Sequence, residues 1–373
     1  MTYRYVKIMQ SIIESEMMAQ NITLQNIADH VGVSKSTVSD VLRNRRGKVK
    51  VSEKTREKIH AAVKELGYIP NAAAKALVTG KTGNIGFLLS SKVNHGLANP
   101  FFASIMAGVQ AGATSKGYNC IVNCYDLSTV KDFVMPSKLK RKFVDGLVIS
   151  GRIEEDILQM FIDSGIPFIL VGINADFPVE GVLSVTRNLK DDWKSSFDYL
   201  VGLGHRNIAV GGIETELAKQ IFREAVQEYK DNSETSFVKF SNYTVPDDCN
   251  DVMNQAVLDG KKWAHTSTRS RPTAVIGHDQ WCTGFMKSVF EAGYSCPQDV
   301  SILCTCDTIL CKWSRPSMTA INLPMHQAGT QAACLLIDYI DRNVNWIETN
   351  RRAGDIWKVN KLTERQSTGH CPV

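Results

Sequence analysis

From residue 83 onward, short apolar runs alternate with amphipathic stretches, and this rhythm restricts the fold more than any other feature of the 373 residues. NIGFLLS, YNCIVNC, DGLVIS and PFILVG read as strands. PFFASIMAGVQAGATSKG and EEDILQMFIDSG read as helices between them, and TVKDFVMPSKLKRKF as a helix interrupted by Pro136. A second series follows: WKSSFDYLVGLG, NIAVGG, TELAKQIFREAVQEY, SFVKF, DVMNQAVLDGKKW, TAVIG, DQWCTGFMKSVFEAG and DVSILC. Near-continuous apolar strands separated by helices predict doubly wound α/β architecture with parallel sheets. Two successive series of about 100 residues each predict two lobes rather than one large sheet. Ligands in such folds sit beyond the carboxyl ends of the strands, which in a two-lobed unit is the cleft.

Ahead of this region stands a segment with a different grammar, TLQNIADHVGVSKSTVSDVL, Thr23 to Leu42. Thr23 suits a helix N-cap, Leu24, Ile27, Ala28 and Val31 recur at helical spacing, and Gly32 suits a left-handed helix end. Ser34 caps a second helix in which Thr37, Val38, Val41 and Leu42 alternate with Lys35, Ser36 and Ser39. A third segment, VSEKTREKIHAAVKELGYIP, starts at a Ser52 cap and aligns Ile59, Ala62, Val63 and Leu66 before Gly67 and Pro70 end it. The pattern predicts an all-α helix-turn-helix domain, whose second helix can enter the DNA major groove.

Charge agrees with that division. Residues 1–82 hold 14 Lys and Arg against 7 Asp and Glu, whereas the remainder holds 29 against 31. The densest basic run, Arg43 to Lys50 with Arg45 and Arg46 inside it, has the composition of an arm that neutralises phosphates. No apolar run is long enough for a membrane span, and the N-terminus has no signal-peptide core, so a cytoplasmic protein without membrane contact is expected. The ten cysteines are scattered without metal-type spacing. They read mostly as small buried hydrophobes, with Cys304, Cys306 and Cys311 the one group in which a redox sensor is an alternative. No dinucleotide or phosphate-binding glycine loop, nucleophile elbow or metal-ligand cluster occurs, so no catalytic residue, metal or cofactor is expected and the chain is not read as an enzyme.

Taken in order, TLQNIADHVGVSKSTVSDVL, VSEKTREKI, ELGYIPNAAAKAL, NPFF, DGLVIS, GIPFILV, LGHRNIAV, FREA, HDQWCTG, DVSIL, PSMTAI and RQST resemble the LacI/GalR type of bacterial transcriptional regulator over residues 23 to 368. The resemblance implies a repressor bound as a homodimer to double-stranded, pseudo-palindromic operator DNA, with a periplasmic-binding-protein-like core that senses a small-molecule effector such as a sugar. The domains expected are an N-terminal extension (1–22), the helix-turn-helix domain (23–69), a hinge helix and linker (70–82), the two-lobed effector-binding and dimerisation domain (83–368) and a short tail (369–373). An alternative is a ligand-independent dimer with a degenerate pocket.

The same resemblance assigns Ser34, Lys35, Ser36, Thr37 and Ser39 to the major groove and its phosphates, with Thr23, Ser52, Arg43, Arg45 and Arg46 as further DNA contacts. Asn71 and Ala74 fall in the hinge, and Leu77 takes the place of the apolar wedge that enters a minor-groove step. Asp40 departs from the pattern, standing where an arginine usually reads a base. Its carboxylate would either accept a bond from a cytosine amino group or, the favoured reading, cap or pair with a neighbouring basic side chain. In the cleft, Asp279 matches an acidic effector contact, Phe101 or Phe102 an aromatic stacking position, and Trp281 a further apolar face. An alternative role for Asp279 is a helix cap. Asn188, Leu189, the stretch Ala218 to Ile221, His278, Cys304 to Asp307 and Leu323 all depart from the usual polar set, which weakens the sugar expectation.

Overall fold

The caps that the sequence places around residue 30 are the ones that form. In the computed structural model, which describes residues 22–42, 51–68, 76, 79–93, 95–127, 129–131, 133–136, 143–174, 182–185, 188–231, 235–246, 249, 251–342 and 361–372, helix α1 spans Leu24–Val31. Thr23 and Asn26 cap its start reciprocally: each side chain accepts the other's backbone N–H, satisfying two otherwise orphaned donors. Gly32 closes it at φ 75°, a left-handed conformation that costs other residues steric energy. Helix α2 (Lys35–Leu42) and helix α3 (Glu53–Glu65) follow. Ile27 and Ala28 of α1, Val38 and Val41 of α2, and Ile59 and Ala62 of α3 form one small core. The basic arm at Arg43, Arg45 and Arg46 and the hinge residues Asn71, Ala74 and Leu77 lie outside the described residues.

The chain divides into two compact units, Met1–Gly80 and Lys81–Val373. In the second, β1 (Asn84–Ser90), α4 (Pro100–Ser115), β2 (Asn119–Tyr125), β3 (Gly146–Arg152), α5 (Glu155–Asp163), β4 (Phe168–Asn174) and β5 (Ser184–Val185) build the first lobe. Its sheet is parallel, in the order β2-β1-β3-β4-β5. The second lobe contains α6 (Leu189–Gly202), β6 (Asn207–Gly211), α7 (Glu216–Asp231), β7 (Lys239–Tyr243), α8 (Val252–His265), β8 (Ala274–Gly277), α9 (Asp279–Glu291), β9 (Ser301–Cys304), α10 (Ile309–Trp313) and β10 (Thr319–Asn322). From β10 the chain returns to the first lobe as α11 (Met325–Ile340), and β11 (Lys361–Thr363) then closes the second sheet, ordered β11-β10-β9-β8-β6-β7. That sheet is parallel except for β11, which runs antiparallel to β10 at the edge.

Helix α11 is held in the first lobe by backbone-to-backbone approach. A Cβ on Gly108 of α4 would stand 2.0 Å from the His326 carbonyl oxygen, and one on Gly329 2.1 Å from that of Ile105. Only glycine permits this crossing, and it anchors the return of the chain.

Three expectations change in detail. The stretch expected as a helix around Pro136 has no helix at its described residues 129–131 and 133–136, because Phe133 and Met135 turn into the core beneath α5. Strand β7 starts at Lys239, later than the SFVKF run suggests. Gly369 and Cys371 of the expected tail are tied down: the Cys371 N–H donates to the Leu203 carbonyl at 2.9 Å, and His205 Nε2 lies 3.1 Å from the Gly369 carbonyl.

Candidate functional site

The outward face of α2 follows from what its inward face must do. Val38 and Val41 are buried, so Ser36, Ser39 and Asp40 fall on the opposite side, with Lys35 exposed at the first turn. Ser34 begins the helix, its Oγ accepting the Thr37 N–H at 3.1 Å. The same oxygen lies 2.7 Å from Ser36 Oγ and 2.8 Å from Thr37 Oγ1, so three hydroxyls form one exposed network. Each rotates freely enough to exchange a neighbour for a phosphate or a base edge. Thr23 and Ser52 are exposed at the starts of α1 and α3, where both are engaged as caps; Ser52 accepts the Thr55 N–H at 3.2 Å. Asp40 is half-exposed, and among the described residues no basic side chain pairs with it.

The second candidate region lies at the carboxyl ends of β6, β8 and β9. Asp279 opens α9 but does not cap it: His278 does, its Nδ1 accepting the Trp281 N–H at 3.4 Å. The Asp279 carboxylate is 3% exposed. Thr308 Oγ1 donates to its Oδ2 at 2.6 Å, Cys306 Sγ to its Oδ1 at 3.6 Å, and His278 Nδ1 lies 3.7 Å away. Burial pushes this carboxyl up, but His278, Thr308 and the Gln280 N–H together outweigh burial and hold it below the usual carboxylate range. On its other side, His278 Nε2 faces Glu214 at 3.6 Å.

Trp281, expected as a ligand-facing wall, is instead 0% exposed. Its ring lies against Gly211 and Gly277, where a Cβ would come within 2.1 and 2.5 Å of it, and stacks on Phe285 at 4.9 Å. Its indole N–H donates to Asp259 at 3.0 Å. It is a core residue of the second lobe. Phe101 and Phe102 are half-buried at the start of α4, edge to face at 5.0 Å, and pack on the first lobe's core together with Val93. Leu323 and Cys306 are buried in that same cluster.

Sequence reasoning missed Thr308 and Glu214, and it named Cys306 without its contact to Asp279. Thr308 had a signal, since a threonine before ILCKW is a natural N-cap, and its hydroxyl does accept the Leu310 N–H at 3.3 Å. Cys304 and Cys311 are buried beside Cys282; burial and contact with Cys282 hold the Cys304 thiol, and contact with Cys304 and burial the Cys311 thiol, well above the ordinary range. Thiols kept protonated and out of water are poor redox sensors. Among the described residues, no group of three His, Cys, Asp or Glu is placed to hold a metal, and no helix is long and apolar enough to cross a membrane.

Residues 23–71 match the pattern of bacterial regulatory proteins of the lacI family, and residues 197–368 match the periplasmic binding protein-like domain. The chain belongs to the LacI family. It is a DNA-binding transcriptional regulator, from a family of regulators rather than enzymes. The HTH-type transcriptional repressor PurR of Yersinia pestis is 29% identical over 363 residues, spanning 94% of this chain and 98% of the relative. In fold, this LacI-family chain is similar to the Lac repressor dimer bound to operator and the anti-inducer ONPF, with a TM-score of 0.74 at 22% identity over 94% of this chain and 100% of that one. It is also similar to the transcriptional regulator CelR in complex with cellobiose, with a TM-score of 0.58 at 24% identity over 93% and 99%.

Proposed function

We propose that this LacI-family regulator is a repressor that reads a pseudo-palindromic operator as a homodimer in the cytoplasm, through the outward face of α2. The observation that carries the reading is the exposed network of Ser34, Ser36 and Thr37 beside Lys35, held rigid by the three-helix core. Ser39 adds a hydroxyl to the face, while Thr23 and Ser52 offer helix starts to phosphates. In sequence, Arg43, Arg45 and Arg46 supply the phosphate-neutralising arm, and Asn71, Ala74 and Leu77 the hinge (70–82). The homodimer draws support from α10, where Ile309 and Trp313 stand four residues apart and are 59% and 72% exposed. Two such side chains on one turn suit an interface between copies. The test is genome-wide mapping of bound sites with the full-length protein, followed by reporter expression. Symmetric half-sites and derepression on deletion are expected; asymmetric or unenriched sites would overturn the reading.

For the effector, the CelR complex with cellobiose supports a small sugar, and Phe101 or Phe102 the stacking surface it would need. A second reading, a dimer whose cleft takes no ligand, is favoured by one observation: Asp279 is already engaged by Thr308 and Cys306, so a hydroxylated ligand must displace an internal bond to reach it. A thermal-shift series with mono- and disaccharides separates the two, because a ligand that binds the folded state raises its midpoint.

A further inference from the structure

One group on α2 is not explained by the hydroxyl network. Asp40 lies four residues after Ser36, one turn along the same strip of helix and away from the buried Val38 and Val41. It sits in the last turn, where the helix dipole disfavours a negative charge, and that turn contains no basic residue. Among the described residues, no side chain donates a hydrogen bond to its carboxylate or forms an ion pair with it. Among the described residues the carboxylate thus has no partner to stabilise, and on a DNA-facing strip it would also be repelled by phosphates.

We propose that Asp40 is a specificity-determining residue that selects cytosine at one position of the site read by α2, an inference that rests on α2 being the DNA-reading helix. A carboxylate only accepts hydrogen bonds. The major groove offers it two donors, the N4 amino group of cytosine and the N6 amino group of adenine, while guanine and thymine present acceptors that repel it. Adenine's amino group lies beside the N7 lone pair, which the second carboxylate oxygen would meet. Cytosine's lies beside a C5–H, which carries no lone pair. Cytosine is thus the one base that satisfies the group without opposing it, and wrong bases are rejected by repulsion rather than by a missing bond alone.

The test is selection of bound duplexes from a randomised library by the full-length wild type, Asp40→Ala and Asp40→Asn, with sequencing of the bound fraction. In the wild type, cytosine should be favoured at one position by about 5- to 150-fold. Asp40→Ala should flatten that position and leave the others unchanged. Asp40→Asn should move the preference toward adenine, because an amide pairs N6 and N7 together; this near-isosteric variant carries the test if Asp40→Ala does not fold. Identical base preferences in wild type and both variants would overturn the proposal, as would a uniform gain in affinity for all sequences in Asp40→Ala, which would make the carboxylate a repeller only. A wild type that enriches no sequence would overturn the assignment of α2 and this inference with it.

Discussion

The face of α2 and the carboxyl ends of β6, β8 and β9 are both polar, yet they use their polar groups in opposite ways. On α2, Lys35 and Ser36 stand in water and the exposed hydroxyls bond one another, with Ser34 Oγ also capping the Thr37 N–H. In the second lobe, Asp279 is sunk beneath Thr308 and Cys306, and Trp281 fills a seat between two strands. A surface that meets DNA must keep its donors and acceptors available, because phosphates and base edges replace water at little cost. A site built on the ends of buried strands inherits the lobe's core, and its polar groups must be satisfied before any ligand arrives. Substitutions outside the cap should therefore affect binding without stability in the first region, and stability first in the second.

The largest effect is expected at Trp281. Trp281→Ala empties a fully buried site and leaves the Asp259 carboxylate with the Gln255 amide but without the indole N–H, at a cost of about 3–5 kcal/mol in chemical denaturation of the full chain. Unchanged stability with a lost ligand response would instead restore Trp281 as a pocket wall. Thr308→Val comes next. It removes a hydrogen bond to a buried carboxylate and the cap of α10 together, for about 2 kcal/mol. A loss near zero would mean that Cys306, His278 and the Gln280 N–H hold Asp279 without Thr308.

A third prediction uses pH. His205 is fully buried; the Gly369 carbonyl can only accept, so Nε2 carries the ring proton while Nδ1 faces the Thr273 hydroxyl at 3.0 Å. Burial, aided by Arg206 and His370 and opposed by the bond to Gly369, lowers its pKa below the ordinary imidazole range. The unfolded chain therefore binds this proton more readily than the folded one. Stability from His205 is complete above about pH 6.5 and is lost as pH falls through the lowered value. Denaturation midpoints at pH 7.5 and pH 5.5 should fall on acidification, and less so in His205→Gln; an equal fall in both would remove His205 from the account.

The two regions also differ in how much of them could be read from sequence. Thr23, Gly32 and Ser52 act within three or four residues, so their caps are visible in a short window, and Val38 and Val41 declare the inward face of α2 by spacing alone. The strands of both lobes announce themselves as apolar runs for the same reason. Trp281 misled because its seat, Gly211 and Gly277, belongs to two strands whose adjacency only the sheet order reveals. Asp279's partners stand 27 and 29 residues away on the next β-α unit. The return of α11 depends on Gly108 meeting a backbone more than two hundred residues later. Local chemistry is legible, while satisfaction across elements is not.

The smallest stability effect is expected where the binding effect is sharpest, at Ser36. Its side chain is exposed, its hydroxyl bonds only Ser34 Oγ among the described residues, and the cap itself, Ser34 Oγ accepting from the Thr37 N–H, does not involve it. Ser36→Ala should therefore change stability by no more than about 0.5 kcal/mol. Ser34→Ala should cost about 1 kcal/mol, since it removes the cap. If α2 reads DNA, the order reverses in operator binding: Ser36 points most directly outward and its loss should weaken specific binding, while non-specific binding, set by phosphate charge, stays the same. Paired titrations of enriched and scrambled duplexes at one salt concentration would show it. Equal losses on both duplexes would mean that Ser36 touches phosphate only, and base reading on this face would then rest on Lys35, Ser39 and Asp40.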